Sequence, residues 1–183
     1  MAHLDDTTLL SQFRNEGTRV QAFNAVVKKY QEKIYWHIRR MVVSHDDAND
    51  VLQNVLIKMW KSLENFREDS QLYTWLYRIA TNECLTFLEQ QKKREVNSFE
   101  EVEEVLSNKV RSEPGFDARK VEWKLQLAIQ SLPEKQRQVF NLRYYDEMPY
   151  EQMSAVLHTS EGALKASYHH AAKKVEEYLK NNA

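Results

Sequence analysis

The chain of 183 residues has room for one or two domains, and 42% hydrophobic with 29% charged residues describes a soluble globular protein. Three glycines and three prolines supply too few turn formers for a many-stranded sheet, so an all-α fold is expected. A net charge of -1 excludes a uniformly basic nucleic-acid binder, and any phosphate-binding charge has to be local.

The first zone, residues 5 to about 93, is dense in aromatic and aliphatic residues at helical spacing. Its clearest element is a helix over Asp46 to Leu63. Leu52, Val55, Leu56, Met59, Trp60 and Leu63 fall on one face of it and are expected to be core. The opposite face carries Asp47, Asp50, Asn54, Ile57 and Lys61, and an aliphatic residue inside an acid-tipped polar face is unusual. It is either a scattered exposed aliphatic or the apolar anchor of a docking surface. A second helix is expected from Leu72 to about Arg94, with Leu72, Trp75, Leu76, Ile79, Ala80 and Phe87 inward. Glu83 lies on that apolar stripe and needs a partner or an edge, because an unpaired buried carboxylate is costly. Thr74, Tyr77, Arg78, Thr81 and Asn82 lie on the other side.

Residues 94 to about 117 are acidic, poor in large apolar side chains and contain Pro114-Gly115. They read as a flexible acidic linker with one short helix near Phe99 to Leu106. From residue 118 onward helical periodicity returns. Pro133 suits a helix start, and Val139, Phe140 and Leu142 supply apolar contacts. Pro149 opens a short helix, Tyr150 to Leu157, and the corner His158-Thr159-Ser160 follows. His158 is expected to take a left-handed backbone position, and Ser160 to cap the last helix. That helix turns Leu164, Tyr168, Ala171, Val175, Tyr178 and Leu179 to one side. Ala163, Ala166, His169, His170 and Lys173 lie opposite, flanked by Lys165 and Ser167. Small residues beside hydrogen-bonding ones suit a helix laid in a DNA major groove. A solvated face of an ordinary bundle has the same outline.

Two separate segments resemble the sigma-70 family of RNA polymerase sigma factors, most closely its compact extracytoplasmic-function (ECF) group. DANDVLQNVLIKMW (47–60) and YTWLYRIATNECL (73–85) are similar to region 2 of that family. LPEKQRQVFNLRYYDEMPYEQMSAVL followed by SEGALKASYHHAAKKV is similar to region 4, and LLSQFRNEGTRVQAFNAVVKKY (9–30) resembles the way ECF factors begin. The resemblance implies two small helical domains, region 2 over 5–93 and region 4 over 118–183, joined by the linker 94–117. It implies that region 2 docks on the clamp coiled coil of the largest subunit of core polymerase through Asp47, Asp50, Gln53, Asn54 and Ile57. The loop Asn65 to Gln71 occupies the family position that captures a flipped −10 base, with Asn65, Arg67 and Ser70 as candidates. Tyr77, Arg78, Thr81 and Asn82 are expected to face −10 DNA. Thr159, Ser160, Lys165, Ala166, Ser167, His169, His170 and Lys173 are expected to read the −35 element. Trp60 and Trp75 are read as core.

The family often carries Arg where this chain has Ser167 and His170, and Gly where it has His158. Near Thr86 and Glu89 it usually has Asp and Arg. Fewer permanent phosphate contacts imply weak promoter binding by the free protein, with polymerase supplying the rest. The two promoter elements lie roughly 70 Å or more apart. About 24 linker residues reach roughly 80 Å extended but span only about 25–30 Å relaxed. Polymerase is therefore expected to hold the domains apart, and the free chain can fold them together.

The implied partners are core polymerase, promoter DNA and a dedicated anti-sigma protein. No enzymatic activity, cofactor or metal is expected: no glycine loop could cradle phosphate, and the six histidines have no ligand pairing with Cys84. A single cysteine and the lack of a leader-like or spanning apolar run fit the cytoplasm, without stable membrane insertion. The alternative is a helix–turn–helix regulator whose N-terminal bundle senses a ligand or dimerises, which predicts palindromic DNA and a stable homodimer.

Overall fold

The computed structural model describes residues 5–94 and 121–182, and every regular element among them is helical. The helices are α1 (Asp6–Arg14), α2 (Arg19–Val42), α3 (His45–Ser62), α4 (Leu72–Arg94), α5 (Val121–Gln130), α6 (Glu134–Tyr144), α7 (Tyr150–Leu157) and α8 (Glu161–Asn181). A 3-10 turn over Leu63–Asn65 closes α3. The short helix expected near Phe99 to Leu106 lies outside the described residues. Among the described residues no helix is long and apolar enough to cross a membrane.

Local chemistry sets most of the boundaries. Asp5 caps α1 by accepting from Thr8 N–H at 2.7 Å. Ser44 caps α3 by accepting from Asp47 N–H at 3.3 Å, and Asp46 and Asp47 place negative charge on the first turn. The chain enters this cap through Val43, which is buried with φ 68. A β-branched residue is rarely found there, and sequence alone gives no sign of it. Pro149 precedes α7, and His158 ends it in the left-handed region at φ 51, ψ 41. Ser160 then accepts from Ala163 N–H at 3.3 Å to start α8. Both residues act as their side chains predict.

The main core runs from Leu9, Leu10 and Phe13 of α1 through α2, α3 and α4. It continues without a break into Val139, Leu142, Met148, Met153, Val156 and Leu164 of the C-terminal unit. A second cluster, Ala128, Ile129, Leu132, Phe140, Ala171 and Val175, holds α5, α6 and α8 together. The N-terminal and C-terminal units are thus closed on one another, with α7 against α4 and α6 against α2.

Two core expectations change. Trp60 is 40% exposed, lying edge-on to Phe13 at 5.5 Å and Phe23 at 5.1 Å rather than inside the bundle. Ala48 and Val51, about one turn and one residue before the expected stripe begins at Leu52, are fully buried and extend the inward face of α3 toward its N-terminus, where α2 and α4 pack on it. Glu83 finds the partner it requires in Lys58, whose ammonium donates across from α3.

Candidate functional site

The outward face of α3 is the first candidate. With Val51, Val55 and Met59 turned inward, Asp50, Gln53, Asn54 and Ile57 are left exposed, and Asp47 is half-buried beside the N-cap. Ile57 stands 51% exposed on this rim of carboxylate and amide groups. Such a surface suits a protein partner that brings basic and apolar groups together.

The second candidate is α8. Ala171 and Val175 pin it to α5 and α6, Leu164 joins it to the main core, and its far side is open. Thr159, Ser160, Lys165, Ala166, His169, His170 and Lys173 are exposed and Ser167 is half-buried. Lys165 pairs with Glu161 at 3.5 Å and lies 5.5 Å from the Tyr150 ring. Lys173 is 4.0 Å from Glu177. Exposed pairs of this kind are worth only about 0–1 kcal/mol, so a phosphate can take either lysine.

The third candidate is the turn between α3 and α4. Asn65, Arg67, Ser70 and Arg78 line a cleft of about 370 Å³ over Phe66 and Trp75, and Ala155 of α7 forms part of its wall. That volume is within the range of about 300–1,000 Å³ common for small-ligand sites. Asn65 and Arg67 are exposed and Ser70 is half-buried.

The outer face of α4 divides. Asn82 is exposed and Arg78 half-buried, but Tyr77 and Thr81 are each 1% exposed. They are covered from two sides. Tyr77 packs 4.9 Å from His37 of α2 and donates to Asp146, on the turn between α6 and α7, at 3.0 Å. Thr81 Oγ1 is within hydrogen-bond distance of His37 Nε2 at 2.9 Å. Burial and the neighbouring Asp146 charge push the Tyr77 phenol well above its ordinary pKa, so it remains a donor. Helical projection puts these residues opposite the N-terminal core. It does not reveal that the C-terminal unit lies over them.

His37, Arg40 and Asp146 have no place among the residues singled out from sequence. The one hint was Arg39-Arg40 inside the otherwise apolar stretch from Ile38 to Val43. Arg40 donates to Asp146 at 2.7 Å across 106 positions of chain.

Residues 26–94 match the family described as sigma-70 region 2, and residues 122–175 match sigma-70, region 4. The RNA polymerase sigma-H factor of Pseudomonas aeruginosa is 32% identical over 167 residues, spanning 87% of this chain and 86% of that protein. The ECF RNA polymerase sigma-E factor of Escherichia coli K12 is 32% identical over 167 residues, 85% of each. Among solved structures, CnrH in complex with the cytosolic domain of CnrY superposes with a TM-score of 0.73 at 20% identity, covering 97% of this chain and 99% of that one. The sigma factor RpoE of Bartonella quintana, in complex with the anti-sigma factor NepR, gives 0.65 at 22% identity over 86% and 96%. Those two share the fold. With both regions matched in order and the sequence kinship spanning most of the chain, this protein belongs to the ECF group of the sigma-70 family, the RNA polymerase sigma factors that bind core enzyme and direct it to promoters.

Proposed function

We propose that the chain works as two units, residues 5–93 for core binding and −10 DNA and residues 118–183 for −35 DNA, with no catalytic chemistry of its own. On this reading Asp47, Asp50, Gln53, Asn54 and Ile57 hold the clamp coiled coil of core polymerase. Asn65, Arg67 and Ser70 receive a flipped −10 base in the cleft beside them, while Tyr77, Arg78, Thr81 and Asn82 follow the strand. Thr159, Ser160, Lys165, Ala166, Ser167, His169, His170 and Lys173 enter the −35 major groove. The observation that supports it best is the open side of α8, where small and hydrogen-bonding residues follow a corner built by His158 and Ser160. The factor would act in the cytoplasm, with polymerase. An anti-sigma protein is the third partner of this reading, which draws support from the fold shared with RpoE, solved in complex with the anti-sigma factor NepR.

The test is transcription by purified core polymerase on fragmented genomic DNA of the source organism. Discrete run-off products that require this protein, with start sites preceded by two spaced elements, are the expected result. Tight core binding without products would reject promoter recognition. A stable homodimer on palindromic DNA with no core binding would replace the proposal by an ordinary helix–turn–helix regulator.

A further inference from the structure

The seam between the two units contains a charge cluster that packing alone does not require. Asp146 has a side chain 8% exposed, and its Oδ1 accepts from both Arg40 Nη2 at 2.7 Å and Tyr77 OH at 3.0 Å. Its Oδ2 has no hydrogen-bond partner, although His37 Nδ1 is 3.5 Å away. His37 is fully buried, and its Nδ1 is also without a hydrogen-bond partner, as is Arg40 Nε. The pocket thus offers more donors than the carboxylate uses. The turn that presents Asp146 is tied down by local hydrogen bonds. Met148 N–H donates to Leu142 O at 3.0 Å, Arg143 donates to Met148 O at 3.2 Å, and Glu147 is left-handed at φ 49.

A buried ion pair is a weak source of net stability, because desolvation offsets much of the attraction. Met153 and Val156 already supply apolar contact at this seam. The donors themselves lie on α2 and α4 of the N-terminal unit, and the C-terminal unit supplies the acid together with the Tyr145 ring, 4.7 Å from the Arg40 guanidinium. A guanidinium fork, a phenol and an imidazole around an anion suit a phosphate as well as they suit a carboxylate. Two members of the cluster and its support, Tyr77 and Thr81, are the residues assigned above to −10 DNA.

We propose that Arg40, Tyr77 and His37 form a binding site for one backbone phosphate of the −10 strand, and that Asp146 fills this site as an internal stand-in when the chain is closed. The inference rests on the assignment of the α4 face to −10 DNA. Region 4 and the promoter strand then compete for one anion site. Closure also brings Ala155 to the base cleft and Gln152 to Gln71, donating at 3.2 Å, so the cleft and the phosphate site are obstructed together. The α3 face with Ile57 stays open throughout, which lets polymerase engage the closed chain first. A chain closed nine-tenths of the time or more binds DNA about tenfold or more weakly than its open form.

The full-length chain tests this with two dyes and one oligonucleotide. Dyes on Asn24→Cys and Glu177→Cys report closure by energy transfer, because Cys84 is fully buried and burial raises its thiol pKa. A fluorescein-labelled single strand of about 16 nucleotides reports binding by anisotropy over a salt series, and phosphate contact needs no particular sequence. Asp146→Asn and Arg40→Gln should both separate the dyes. Asp146→Asn should bind the strand about tenfold more tightly. Arg40→Gln should gain nothing and lose about 0.7 from the slope of log K against log salt, and Arg40→Lys should restore that slope. Asp146→Ser repeats the measurement if the asparagine variant fails to fold. Equal gains in Asp146→Asn and Arg40→Gln would mean simple masking and overturn the phosphate site. Unchanged dye separation in both would overturn the latch. Absence of run-off products from the wild-type chain would instead defeat the parent assignment, independently of these variants.

Discussion

Ile57 is the most economical place to challenge the docking face. In the free protein its side chain is 51% exposed, so about half of its burial is still to be gained on binding. Burying an isoleucine completely is worth about 1.5–3 kcal/mol, and the remaining half about 0.75–1.5 kcal/mol. Ile57→Ala should therefore weaken core binding about three- to tenfold. Ile57→Asp loses the same contact and also places an unpartnered polar group in the interface, beside the exposed Asp50 and Asn54, for about 1–3 kcal/mol more. The combined loss is about 20- to 2,000-fold. Folding should hardly change, because surface substitutions away from buried features stay within about 0.5 kcal/mol. Titration of labelled core polymerase gives the binding constants, and urea melts give the stability. If Ile57→Asp binds core within about twofold of the parent chain, α3 does not dock through this face. A binding loss that merely tracks a loss of stability would refute the reasoning equally.

Lys58→Met should cost about 1–3 kcal/mol in urea melts by leaving Glu83 nearly buried without its partner, and adding Glu83→Leu should recover most of that loss. Lys165→Ala should lower the salt slope of −35 duplex binding by about 0.9, and His169→Ala should cost about 1–3 kcal/mol of base discrimination, both with core binding intact. Collapse of core binding with unchanged promoter choice would reject the assignment of α8. For Asp146, burial alone would raise the carboxyl pKa, but His37 and Arg40 outweigh it and hold the group below the usual carboxylate range. In the open chain the same carboxyl should titrate near the ordinary value of about 3.9. Asp146 should therefore favour closure in full above about pH 4 and lose that contribution as pH falls through its depressed value. Among the described residues His37, Arg40 and Tyr77 face it, with Tyr73 behind Tyr77, and the dye pair should separate over that acid range in the parent chain. Asp146→Asn should remove the pH dependence, and a parent chain that stays closed there would contradict the sign.

The residues whose behaviour depends on near neighbours could be read without coordinates. His158 takes the left-handed position because it must end α7 before a capping serine, and Ser160 caps α8 through a hydroxyl three residues from its donor. The open faces of α3 and α8 could be read as well, since the 3.6-residue repeat decides which residues turn from the core. Glu83 announced its need for a partner by interrupting an apolar stripe, though not that the partner would be Lys58. Trp60 shows where periodicity stops. It lies on the expected face of α3, but at the end where Phe13 and Phe23 meet it from one side only. Tyr77 and Thr81 lie on the polar side of α4, yet they are buried, because α2 and the turn after α6 close over them. Nothing local to Arg40 encodes an aspartate 106 positions away. The amphipathic pattern of the sequence determined the helices and the sides they leave outward, because those depend on contacts within a few turns. Only the tertiary structure decided that the two units close on each other and that a carboxylate from one enters a donor pocket of the other. That arrangement depends on long-range packing and on excluding water from a charged cluster, which no single segment specifies.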